Sequence, residues 1–159
     1  MIKYYNAMVV FEEIPNEITL AINITNCPCH CKGCHSQFLW EDVGKELTAA
    51  QLTKLLEENS GITCVCFMGG DREPKYVNGY AFYLKRFKKL KVGWYSGRNE
   101  LSKDINLNNF DYIKLGEYNE ELGGLNKETT NQRFYEVIVN DGKCILNDIT
   151  SKFWKKTKV

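Results

Sequence analysis

Apolar and polar residues alternate along EITLAINI (17–24), and this period of two predicts a strand with one face buried. AMVVFEEI (7–14) precedes it, so Pro15, Asn16 and Glu17 predict a hairpin turn between two strands. The pattern breaks over a cysteine-rich segment and resumes with helical spacing in LTAAQLTKLLEEN (47–59). There Thr48 and Gln51 have capping-box spacing, Leu52, Leu55 and Leu56 share one face, and Gly61 ends the helix. ITCVCFM (62–68) is a short unbroken apolar run and predicts a buried strand. Beyond GGDREP, a second helix is expected over roughly 76–90, followed by strands at KVGWYS and FDYIKL. At the end, RFYEVIV and KCILNDI flank Asn140, Asp141 and Gly142 and predict an antiparallel hairpin.

Four of these strands run into loops that carry candidate chemistry. AINI leads to the cysteines, CFM to Gly69-Gly70-Asp71, GWYS to Gly97-Arg98, and YIKL to Gly116-Glu117-Tyr118. Parallel strands place their carboxyl ends on one edge, where α/β proteins bind ligands, so the four loops are expected to converge. The expected fold class is α/β: a partial (β/α) barrel or curved, mostly parallel sheet with helices outside and a C-terminal antiparallel hairpin. A full barrel takes about 250 residues, and the chain has 159.

Composition narrows the function classes. With 43% apolar residues the chain can bury one ordinary core, so a single domain over 1–159 is expected. MIKYYNAMVVF lacks the apolar run of a secretory signal and no later stretch is long enough to span a bilayer, which predicts a cytoplasmic protein without a membrane partner. A net charge of +1 offers no broad attraction for a nucleic-acid backbone, so no nucleic-acid partner is expected. Seven cysteines in a reducing compartment argue against a disulfide framework, and four clustered together point to metal or redox chemistry.

That cluster is NCPCHCKGCHSQ (26–37). Cys27, Cys31 and Cys34 are spaced C-x-x-x-C-x-x-C, with Cys29 an extra thiol read as a bystander. Structural zinc usually takes two separated ligand pairs, and no second pair lies suitably downstream, although His30 or His35 could complete a local site. Three thiolates would leave one iron of a four-iron cluster without a protein ligand, free to bind a small molecule and deliver an electron to it.

CPCHCKGC resembles the cluster motif of the radical S-adenosylmethionine superfamily, and the wider chain resembles its short members, the anaerobic ribonucleoside-triphosphate reductase-activating proteins. Those proteins typically read C-x-x-x-C-x-G-C, then an aromatic, a small polar residue and, a few positions on, a Trp. Gly33, Cys34, His35, Ser36 and Trp40 match this, with His35 replacing the usual Tyr or Phe. FMGGD resembles the superfamily's Gly-Gly-Glu segment, which binds the amino group of S-adenosylmethionine. Gly69 and Gly70 permit close backbone approach, and Asp71 can pair with an ammonium. WYSGR and TTNQRFYEV resemble the activators' Tyr-Thr-Gly and Ser-Asn-Gln segments more weakly, so the likeness runs from about Val10 to Val139.

The resemblance implies that Cys27, Cys31 and Cys34 hold a 4Fe-4S cluster and that Gly33, Cys34, His35, Gly69, Gly70 and Asp71 line S-adenosylmethionine. No side chain is then catalytic in itself. Cleavage would yield methionine and a 5′-deoxyadenosyl radical, which takes the α-hydrogen of one glycine in the large subunit of the anaerobic reductase. Flavodoxin or ferredoxin is the kind of electron donor implied. So short a chain fits a protein substrate, because the partner can form the lid over the site. The alternatives are an activase of another glycyl-radical enzyme, a small-molecule radical S-adenosylmethionine enzyme, and a non-enzymatic iron-sulfur or zinc module.

Other conspicuous residues have plainer readings. Cys64, Cys66 and Cys144 are expected as small buried hydrophobes, and His30 as an exposed residue. LKRFKKLK is expected to end a helix, where cations complement the dipole. SKFWKKTKV is either a solvated tail or a dock for an acidic partner patch, anchored by Phe153 and Trp154. Asn131, Gln132 and Arg133 are loop polar groups or, by the resemblance, shape the cluster-bearing face.

Overall fold

The computed structural model describes residues 1–154 and begins with a hairpin, β1 (Lys3–Val10) antiparallel to β2 (Thr19–Ile24), with Val10 opposite Thr19. Its turn spans Phe11–Ile18 rather than Pro15–Glu17, because Ile14 inserts fully into the core and Glu17 is buried. A short β3 (Lys45–Glu46) pairs with the start of β1. There follow α1 (Ala49–Glu58), β4 (Cys64–Met68), α2 (Pro74–Tyr83), β5 (Lys91–Tyr95), β6 (Tyr112–Leu115), β7 (Arg133–Asn140) and β8 (Lys143–Asp148). All strands join one sheet in the order β3-β1-β2-β4-β5-β6-β7-β8.

The class is mixed α/β, but the sheet is not mostly parallel. Among the described residues β2, β4, β5 and β6 form three parallel pairings, and the other four pairings are antiparallel. Parallel neighbours need a crossover of a dozen or more residues, and only the middle of the chain uses its long connections in that way. The terminal strands return directly beside their neighbours. β7 and β8 form the expected C-terminal hairpin, and Asp141 and Gly142 both take positive φ (51° and 76°), as a tight turn of this type requires.

Both α-helices pack on one face. Thr48 caps α1, its hydroxyl accepting from the Gln51 N–H at 3.0 Å. The reciprocal half of the box is missing, because the Gln51 amide donates instead to the Tyr4 hydroxyl at 2.6 Å. Leu52 and Leu55, with Val77 and Ala81 of α2, meet Leu20, Ile22, Val65, Phe67, Val92, Trp94 and Ile113 of the sheet. α2 starts at Pro74, continues as a wider turn over Leu84–Lys88, and stops at Lys89 with φ 54°. The basic residues do end this helix, and Lys85 pairs there with Asp111 at 2.8 Å.

On the opposite face Cys64 and Cys66 are fully buried beside Ile14, Tyr112, Phe134 and Ile149, as their alternation with Val65 and Phe67 predicts. Burial pushes the Cys64 thiol up to about 12. Cys144 differs: on the terminal strand β8 it is only half-buried, and its thiol donates to the Asn108 side-chain oxygen at 3.1 Å. Phe153 is committed within the chain, edge-on to Phe134 with ring centroids 4.9 Å apart. Residues 155–159 of the basic tail lie outside the described residues. No helix among the described residues is long and apolar enough to cross a membrane.

Glu17 pins the sheet edge opposite the loops that carry the candidate chemistry. Its carboxylate, 7% exposed, accepts from the Thr63 hydroxyl at 2.9 Å and the Tyr112 hydroxyl at 2.8 Å, with Lys91 Nζ at 3.2 Å. Glu17→Ala strands the Tyr112 hydroxyl, the buried one of these partners, and leaving a buried polar group unmatched costs about 1–3 kcal/mol. Urea unfolding should show a loss in that range, whereas a change below about 0.5 kcal/mol would mean that the network contributes no more than an ordinary surface residue.

Candidate functional site

Because β2, β4, β5 and β6 are parallel neighbours, their carboxyl ends reach the same edge and their loops meet there. The backbone ties them together. Gly69 N–H donates to Tyr95 O at 3.0 Å, the Trp94 indole N–H to Gly69 O at 2.7 Å, and Gly116 N–H to Arg98 O at 2.7 Å. Gly69 and Gly70 have φ of 103° and 97°, a region that L side chains rarely adopt. A Cβ on Gly70 would also lie 2.5 Å from Val77 Cγ2, in the fully buried seam below α2.

Asp71 is the centre of this edge. It is 6% exposed, and its carboxylate accepts from the Ser96 hydroxyl, from Gly97 N–H at 2.8 Å and from the Cys29 thiol at 3.7 Å. Asp71 also borders a cleft of about 650 Å³ lined by Pro74, Arg98, Leu101, Ser102 and Lys103. Three donors from two loops fix the carboxylate while leaving it at the rim of a space that a ligand can enter.

The cysteine loop is anchored at both ends. Asn26 N–H donates to Glu41 O and Cys27 N–H to Leu39 O, each at 2.9 Å, and Arg72 Nε donates to Asn26 O at 3.0 Å. Within it, Cys34 N–H donates to Cys31 O at 3.1 Å and Ser36 N–H to Cys34 Sγ at 3.4 Å. Gly33 has φ 77°, and a Cβ there would meet Glu120 Oε2 at 2.5 Å, so the segment after β6 lies directly against it. His30 is exposed, as expected, with its ring stacked on Trp40 at 4.5 Å. His35 is exposed too and faces Tyr118, its Nε2 3.5 Å from the hydroxyl.

Cys27, Cys29, Cys31 and Cys34 are all free and half-buried. Cys27 and Cys34 line one recess of about 170 Å³ with Ser36, Met68, Gly69 and Tyr95, which brings two of the expected ligands alongside the Gly-Gly-Asp segment. Cys31, Gly33, His35, Gly70 and Asp71 do not line it. Among the described residues no three Cys, His, Asp or Glu side chains are grouped so as to hold a metal ion. The donor types nevertheless fit an iron-sulfur group, with four soft thiols on one loop. The Cys27 thiol is lowered to about 6, chiefly by the neighbouring Cys29 side chain and secondarily by the backbone at Cys29 and His30. The Cys29 thiol is raised, first by the neighbouring Cys27 side chain, with burial and the nearby Asp71 acting in the same direction.

Cys29 is not isolated within the loop, since its thiol donates to Asp71. Two further residues escaped the sequence reading. Ser96 orients Asp71, and Lys114 of β6 sits 7% exposed beneath the edge, its ammonium donating to Ser96 O at 3.0 Å and Gly116 O at 2.7 Å. Burial lowers the Lys114 ammonium to about 8. The one visible signal was a lysine inside the otherwise apolar YIKL. Asn131 and Gln132 do abut this edge: the Asn131 amide donates to Glu117 O at 3.0 Å, and Gln132 packs on Gly116. Arg133 points elsewhere, to Asp148 at 3.6 Å.

Fold and site together define a mixed α/β protein with a thiol-rich loop beside a buried, hydrogen-bonded carboxylate at the shared strand edge. Compared with protein-family models, curated proteins and solved structures, the chain matches none.

Proposed function

We propose that the chain is a radical S-adenosylmethionine activase that generates a glycyl radical on the large subunit of an anaerobic ribonucleoside-triphosphate reductase, working in the cytoplasm with a flavodoxin- or ferredoxin-like electron donor. The observation that carries this reading is the recess shared by Cys27, Cys34 and Gly69, with Cys29 in contact with Asp71. It sets the thiols of the cluster-like motif next to the segment suited to an ammonium. In this reading the four parallel strands are a short piece of a (β/α) barrel.

Cys27, Cys31 and Cys34 would hold a 4Fe-4S cluster. Bound there, the cluster would supply the electron that splits S-adenosylmethionine into methionine and the 5′-deoxyadenosyl radical that abstracts hydrogen from glycine. Asp71, aimed by Ser96 and Gly97, takes the ammonium of the methionine moiety, and Gly69 and Gly70 let backbone groups close on it. Gly33 and His35 form the outer wall with Glu120 and Tyr118. A zinc module would draw a fourth ligand from His30 or His35, but one ring is stacked on Trp40 and the other turned to Tyr118.

The test is product formation. Protein reconstituted anaerobically with iron and sulfide, then given S-adenosylmethionine and dithionite, should release 5′-deoxyadenosine and methionine in equal amounts. Stoichiometric zinc with no nucleoside product would sink the reading.

A further inference from the structure

A lysine ammonium is costly to bury unless its donors are matched, so Lys114 demands an explanation that an apolar residue would not. It lies in a strand whose four residues are all buried, at the point where β5 and β6 leave the sheet. There the backbone carbonyls of Ser96 and Gly116 pass beyond the regular ladder, and the ammonium binds both. Ser96 also supplies the hydroxyl on Asp71, and Gly97, the next residue, supplies the N–H. The negative group whose charge bears most on the ammonium is the Asp71 carboxylate.

We propose that Lys114 is a positioning residue for the ammonium-reading pocket: by clamping Ser96 and Gly116 together it holds the Ser96 hydroxyl and Gly97 N–H in the geometry that aims Asp71. This rests on the reading that Asp71 takes the amino group of S-adenosylmethionine. Lys114 touches no substrate in this account. Its effect passes through the loop after β5, and therefore falls on recognition of the amino acid end rather than the nucleoside end.

Equilibrium binding to the reconstituted protein separates these ends. The probes are S-adenosylmethionine and 5′-methylthioadenosine, which has the nucleoside but lacks the α-amino and carboxylate groups of the methionine moiety. Lys114→Met is expected to weaken S-adenosylmethionine binding by about tenfold or more, the size of a lost charge-assisted hydrogen bond. Methylthioadenosine binding should stay within about twofold of the parent, a difference too small to represent a lost contact. Asp71→Asn should show the same selectivity, and adding Lys114→Met to it should cost little more, because both changes act on one interaction. If Lys114→Met does not fold, Lys114→Gln, an uncharged donor, carries the same comparison. Equal weakening of both probes would make Lys114 a general brace of the sheet end and overturn the proposal. Unchanged S-adenosylmethionine binding in a folded variant would also overturn it while leaving the functional reading standing. Failure of the parent protein to bind S-adenosylmethionine would remove both.

Discussion

Cys31→Ala is expected to give a folded protein that retains little iron after reconstitution and forms no detectable 5′-deoxyadenosine. Cys31 is half-buried on a loop outside both core clusters, so its side chain carries little of the packing. The unfolding free energy should move by no more than about 0.5 kcal/mol, as for other substitutions away from the core. The effect on cluster loading is of another order. Loss of a residue that merely orients a ligand typically costs 10–100-fold in metal affinity or activity, and loss of one of the three proposed protein ligands should exceed roughly 100-fold. Iron analysis beside a thermal melt checks both halves. Iron retention equal to the parent's would remove Cys31 from the ligand set.

Gly70→Ala is the largest stability effect expected. Alanine at φ 97° holds a sparsely populated conformation, at about 1–3 kcal/mol. Its Cβ must also displace Val77 Cγ2 from 2.5 Å in a seam without slack, and overpacking adds about 1–3 kcal/mol. Together these give about 2–4 kcal/mol, allowing for partial relaxation. Gly61→Ala is the control. Its φ of 88° is similar, but a Cβ there meets nothing within 4 Å, so only the conformational part applies. Urea midpoints that moved equally in the two variants would refute the steric half of the argument. Because Asp71 follows directly, Gly70→Ala should also disturb the carboxylate's bonds to Ser96 and Gly97.

Local patterns were legible in the sequence where a short window contains the whole physical cause. Thr48 caps the helix that begins at the next residue, Cys64 and Cys66 share a face because strands alternate, and Asp141-Gly142 turns the final hairpin. Convergence of the four loops followed from parallel strands and needed no contact to be known. Both hairpins were legible, but the sheet was read as mostly parallel, because the antiparallel pairings of β3 with β1 and of β7 with β6 depend on how the chain returns rather than on the strands themselves. Glu17 looked like a turn residue, since Tyr112, which fixes it, lies far along the chain. Gln51 was expected to complete a capping box, but Tyr4 from another strand competes for its amide. The Cys29–Asp71 contact was hidden for the same reason, the two residues belonging to different loops.

Electron paramagnetic resonance on an anaerobic mixture tests the central claim most directly. The mixture contains reconstituted protein, S-adenosylmethionine, a reductant and the host's anaerobic ribonucleoside-triphosphate reductase, with Cys31→Ala as the control. The account predicts a glycine-centred doublet on the reductase that is absent from the control. Accumulation of 5′-deoxyadenosine with no doublet would contradict it, leaving a radical enzyme whose target is some other molecule.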